Sequence, residues 1–186
     1  FNKKIIIITL VFILIFNLQA AANLQRLNAI KEEVQQAEKD YDRNKIINLK
    51  EEAAELVNDL ETAAKFKEIF PELPAHDNQA EAVVEKLAKS LSQNELYNLM
   101  KIFPENHSIS SVHRAILDKS DSLEDIEKLL NQVPKNNYVF HPARSKAVKY
   151  VEDLESAAYF KEIFPDLDSY NKEAIEIYRR LKDRLN

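Results

Sequence analysis

Ala53–Leu73 reads AAELVNDLETAAKFKEIFPEL, and Ala147–Leu167 reads AVKYVEDLESAAYFKEIFPDL. Of these 21 positions 14 are identical, at a constant offset of 94 residues. That offset is too long for one supersecondary unit, and weaker copies fill the gap. An apolar residue followed by proline recurs as Phe70-Pro71, Phe103-Pro104, Val133-Pro134 and Phe164-Pro165, with proline spacings of 33, 30 and 31. Aligned on the proline, the copies carry Asp59, Ser92, Ser122 and Asp153 twelve residues earlier. All four are residue types whose side chains accept from the free N–H groups of a first helical turn.

Three residues after each cap stand Thr62, Glu95, Asp125 and Ser156. Ser92 with Glu95 is a capping box, in which each residue satisfies the other's backbone, and Ser122 with Asp125 approximates one. The apolar columns run Leu60/Leu123/Leu154, Ala63/Leu96/Ile126/Ala157, Phe66/Leu99/Leu129/Phe160 and Phe70/Phe103/Val133/Phe164. Their three-and-four spacing and the stop at proline predict an 11-residue helix A in each copy. A polar stretch and a second amphipathic segment follow, over 79–91, 108–119, 142–151 and 170–185, with Pro142 suited to a first helical position. Residues 45–58 read as a preceding helix of the second kind. Upstream, Leu24, Leu27, Ile30, Val34, Ala37 and Tyr41 form a narrow stripe, as on a capping helix or a coiled-coil arm.

The sequence therefore predicts an all-α chain. The expected form is a right-handed α-solenoid of about four two-helix repeats, period 30–33, behind an N-terminal amphipathic helix. The period resembles that of tetratricopeptide repeats in length and in pairing two helices. The glycine of that motif cannot occur here, because the 186 residues contain no glycine. The same absence removes the phosphate-cradling loop, the dinucleotide turn, the nucleophile elbow and the EF-hand turn. With no cysteine either, disulfides, thiolate nucleophiles and cysteine-ligated metals are excluded.

Lys3 and Lys4 precede an apolar run from Ile5 to Phe16, and Ala20-Ala21-Ala22 follows. Basic, apolar and small-residue regions in that order predict a signal peptide over 1–22, cut after Ala22. The amphipathic helix then occupies 23–44 and the repeats 45–186. Without its two leading lysines the chain keeps 24 basic against 31 acidic residues, net −7. That acidity argues against nucleic acid as a partner. A membrane becomes a partner only if the signal segment is retained as an anchor.

Residues able to carry chemistry are few. His76, His107, His113 and His141 share no repeat column and do not form a metal-binding spacing. The carboxylates from Asp166 to Glu173 lack the glycine of a calcium loop, and Asp168 or Ser169 suits a helix cap equally well. Ser108, Ser110 and Ser111 near His113 read as loop and cap residues, and Asn106-His107-Ser108 is a glycosylation sequon. No catalytic, cofactor-binding or metal-binding residue is expected, and no cofactor.

The third connection differs from the others: Tyr138, Val139, Phe140 and His141 stand in a loop that is polar in the other copies. A hydrophobic loop on a repeat edge suits binding of another protein, and these four are the candidate partner-binding residues; the alternative is that Tyr138 and Phe140 fold back under the following helix as a staple. One further column, Lys67/Met100/Leu130/Lys161, is charged only in the outer copies, as the ends of an array require. The expected function is an exported, secreted or periplasmic, non-catalytic scaffold for protein–protein interaction. The alternatives are a carrier of an apolar small molecule between helices and a membrane-tethered structural protein.

Overall fold

The computed structural model describes residues 3–104, 108–134, 137–167 and 171–185. Among the described residues ten α-helices follow one another: α1 Lys3–Lys39, α2 Arg43–Leu56, α3 Leu60–Ile69, α4 Asn78–Ser90, α5 Gln93–Ile102, α6 Ile109–Lys119, α7 Leu123–Leu130, α8 Phe140–Ala147, α9 Leu154–Ile163 and α10 Lys172–Leu185. A 3-10 turn, Val148–Tyr150, extends α8. The fold is all-helical, 78% helix, with no strand among the described residues.

The four predicted caps all start helices. Asp59 accepts from the Thr62 N–H at 2.8 Å, and the Thr62 hydroxyl accepts in return from the Asp59 N–H at 3.2 Å. Asp153 and Ser156 repeat that box at 2.8 and 3.0 Å. Glu95 accepts from the Ser92 N–H at 2.8 Å, and Ser122 accepts from the Asp125 N–H at 3.1 Å. Phe70, Phe103 and Phe164 close α3, α5 and α9 in nearly the same conformation, φ −119, −125 and −121°. The third copy departs from this. Its helix A stops at Leu130, with Asn131 as a right-handed C-cap, so Val133 lies beyond the helix. In the same copy α8 starts at Phe140, which places Pro142 in the third helical position. Proline is tolerated there because first-turn N–H groups have no carbonyl partner.

The chain divides into two compact units, Phe1–Val112 and His113–Asn186, with the boundary inside α6. In the first, α1 packs on α2 and α3, α2 on α4, and α3 on α5. In the second, α7 packs on α8 and α9, and α10 on the 3-10 turn. Each core is built from the aligned columns: Ala63, Phe66, Leu96 and Leu99 are fully buried in the first unit, Ile126 and Leu129 in the second. The column of Leu60, Leu123 and Leu154 is uneven. Leu123 is 4% exposed and Leu154 68%.

The stripe on α1 is a capping face. Leu27, Ile30, Val34 and Ala37 are buried against α2 and α3. Tyr41 does not belong to it, because α1 ends at Lys39 and Tyr41 is 89% exposed at φ 56°. Its N–H donates to the Glu38 carbonyl, and the Asp42 N–H reaches back to Ala37. Those two bonds make a Schellman ending, whose left-handed position usually holds glycine. In a chain without glycine a tyrosine occupies it.

The apolar segment is the first half of the same helix, which passes 22 and 23 without a break. By length and composition it can cross a membrane, and a signal sequence passes the same test.

Candidate functional site

The third connection places its four candidate residues in different surroundings. Val139 is 1% exposed and belongs to the core of the second unit. Tyr138 is 46% exposed, Phe140 is half-buried in the first turn of α8, and His141 is exposed. The Asn137 side chain accepts from the Val139 N–H at 3.0 Å, and the Phe140 N–H donates to the Asn137 carbonyl at 3.1 Å. This turn turns Val139 inward and leaves its neighbours at the surface. The Tyr138 ring lies 6.3 Å from that of His113, with its hydroxyl 3.4 Å from Nδ1. His113 is buried, and burial pushes its pKa below the usual imidazole value.

Phe140 and His141 line an open groove of about 310 Å³ together with Arg144 of α8 and Ile163, Phe164 and Leu167 at the end of α9. Its wall is held from behind by Glu173 of α10. That carboxylate accepts from Ser145 at 3.0 Å and lies 3.7 Å from Arg144 Nε. Burial pushes Glu173 up; its own backbone hydrogen bond, Ser145, Arg144 and His141 outweigh this and hold it below the usual carboxylate range. The groove thus has an apolar floor and a rim of mixed charge, Asp166 as well as His141 and Arg144, on a turn fixed by hydrogen bonds.

A second opening, about 450 Å³, lies between the starts of α7 and α9 and was not singled out from the sequence. Asp121, Glu124, Glu152, Asp153 and Glu155 surround it, with Tyr150 and Tyr159. Several of these groups already hold the fold. Asp153 caps α9, the Tyr150 hydroxyl donates to the Ser120 carbonyl at 2.9 Å, and the Tyr159 hydroxyl donates to Glu127 at 2.6 Å. The Glu127 bond pushes the Tyr159 phenol up to about 12.

Among the described residues no three His, Asp or Glu side chains converge as a metal site. His76 is exposed, with Nδ1 3.9 Å from Glu81, and His113 is buried beside Tyr138. His107 and the sequon at Asn106, like Asp168 and Ser169 in the calcium-like loop, lie outside the described residues.

Sequence reading missed a set of bonds that span one repeat. Lys86 of α4 donates to the Glu55 carbonyl, 31 residues back, at 3.2 Å. Lys146 of α8 donates to Leu117 at 2.6 Å and to Asp118 at 2.9 Å, and Arg180 of α10 donates to the Val148 carbonyl. Each donor sits on a second-type helix, and each acceptor ends the second-type helix one period earlier. A cation at a helix C-terminus satisfies orphan carbonyls and opposes the negative end of the macrodipole. Within the copies, Lys67 donates to Pro71 at 2.7 Å and Lys161 to Pro165 at 2.6 Å. The outer-copy charges therefore have a local structural role besides solubility. The signal was available in principle: without glycine, helix ends need other caps.

No known family model matches the chain, and neither a curated protein nor a solved structure does.

Proposed function

We propose that the chain is an exported, non-catalytic α-helical repeat scaffold, an α-solenoid in architecture, that binds another protein along the edge formed by its third connection. The carrying observation is the groove beside α8, where Phe140 and His141 join Phe164 and Leu167, with the exposed Tyr138 on the same connection. An apolar floor with a polar, mixed-charge rim suits an apolar side chain flanked by polar groups, the arrangement of an anchor residue on a partner segment. The solenoid reading is supported by packing of α2 on α4, α3 on α5 and α7 on α9, like helix on like helix one repeat apart. The one-period bonds of Lys86, Lys146 and Arg180 support it further.

The test pairs Tyr138→Ser with His141→Ser and measures partner capture from the cell-envelope or secreted fraction beside thermal melting. Capture lost at an unchanged melting temperature is the expected result. Capture unchanged per folded molecule removes this edge as the binding site.

A further inference from the structure

We propose that the apolar half of α1, from Ile5 to Ala22, stays on the chain as a bilayer-spanning anchor and sets the helical domain directly at the membrane surface. The inference stands apart from the binding edge and needs none of its residues. Three observations carry it.

The first is exposure without a face. Ile5, Ile6, Ile7, Ile8, Leu10, Val11, Ile13, Leu14, Ile15 and Leu18 are each 46–62% exposed. At 100° per residue these positions surround the helix, leaving no gap wider than about 80°. A helix that docks on protein covers one stripe; here no side is covered among the described residues. The one hydroxyl in the run, Thr9, donates to the Ile5 carbonyl at 2.9 Å, so it asks nothing of a hydrocarbon surrounding. The 18 residues from Ile5 to Ala22, with Asn17 and Gln19 within their last two turns, rise about 27 Å, against a hydrocarbon core of about 30 Å.

The second is continuity. No proline or glycine interrupts α1 between Lys3 and Lys39, and protein burial begins within one turn of Ala22. Asn23 is 5% exposed and Leu27 is fully buried. There is no linker in which a bilayer-embedded half could pivot against the packed half.

The third is what cutting after Ala22 would do. The Asn23 side chain donates to the Leu56 carbonyl at 2.8 Å and closes the end of α2. Severing the preceding bond would turn this buried residue into a chain terminus. Its ammonium would stand at a helix N-terminus, against the macrodipole, and the next N–H groups would lose their carbonyl partners. Nearby, Arg26 is held by Glu52 at 2.6 Å and Glu33 at 2.5 Å, so the first cation on the domain side is already paired with protein. Lys3 and Lys4 on the other flank fit the cytoplasmic side of the bilayer, with the domain facing outward.

The experiment expresses the full chain, separates soluble from membrane fractions, washes the membranes with alkaline carbonate and weighs the intact chain by mass spectrometry. Purified full chain is also floated with phosphatidylcholine–phosphatidylglycerol vesicles. The expected result is an uncut chain that resists carbonate, dissolves in mild detergent and floats with the vesicles. The paired variant Val11→Arg and Leu14→Arg should lose flotation while keeping the helical spectrum of the domain. A soluble chain beginning at Asn23, converted to a membrane-bound one by Ala20→Leu with Ala22→Leu, would overturn the proposal in favour of a cleaved signal. Pelleting that persists in detergent, without flotation, would overturn it in favour of association between apolar helices.

Discussion

Lys146 Nζ lies 2.6 Å from the carbonyl of Leu117, so a side chain of α8 closes the C-terminus of the helix one repeat earlier. Burial pushes the Lys146 ammonium below its ordinary pKa, although Asp118, Asp121 and Asp125 pull the other way. The hydrogen bonds to Leu117 and Asp118 thus hold a partly desolvated cation. Lys146→Met should destabilise the fold by about 1–3 kcal/mol, the range for losing a charged hydrogen bond and leaving carbonyls unsatisfied. Denaturant unfolding measures this, and a loss under a few tenths would show that water replaces the lysine.

Tyr41 holds the left-handed position that ends α1, and its side chain is exposed. Tyr41→Gly removes the strain of a side chain there without emptying any core. The unfolded chain gains freedom as well, which offsets part of the benefit. A net gain of about 0.5–1 kcal/mol is expected in chemical unfolding. A loss of stability would mean that the tyrosine ring makes a contact the fold needs.

One sequence column makes opposite predictions at two of its members. Leu123 is 4% exposed and Leu154 68%. Leu123→Ala should cost about 2–5 kcal/mol, as for other buried leucines. Leu154→Ala should stay within about 0.5 kcal/mol. Equal costs, read from the shift in urea midpoint, would contradict the packing of α9.

The pH dependence of stability carries a signature of His113. In the unfolded chain its imidazole titrates near about 6.5; in the fold, burial holds the pKa lower. Between those two values the unfolded state binds more protons, so stability rises with pH. The His113 contribution is complete above the unfolded pKa and is lost as pH falls through it towards the folded one. His113→Gln should flatten that part of the profile relative to the parent. Parallel profiles would place the imidazole in water.

The four caps and the buried columns were legible because each depends on residues a fixed distance apart in one helix. Asp59 with Thr62 and Asp153 with Ser156 form the same box 94 residues apart. What escaped reading depends on neighbours from another repeat or on the end of a helix. Lys67 and Lys161 read as surface charges, yet their ammonium groups bond Pro71 and Pro165. Tyr41 continued the apolar period of α1 although the helix had already ended. In the third connection, spacing could not say which residue turns inward; the Asn137 turn buries Val139 and leaves Tyr138 out.

The proposed repeat reading holds that one two-helix unit recurs along the chain, at proline spacings of 33, 30 and 31. Excising residues 92–121 tests it most directly, since Leu91 then joins Ser122 and one N-cap serine replaces the other in register. Three copies remain, enough for a repeat array to stand. The measurement is a thermal melt of the shortened chain followed by circular dichroism. A helical spectrum and a single cooperative transition are expected. A disordered spectrum, or a melt without a transition, would contradict it and show that the second copy is an irreplaceable part of one unrepeated core.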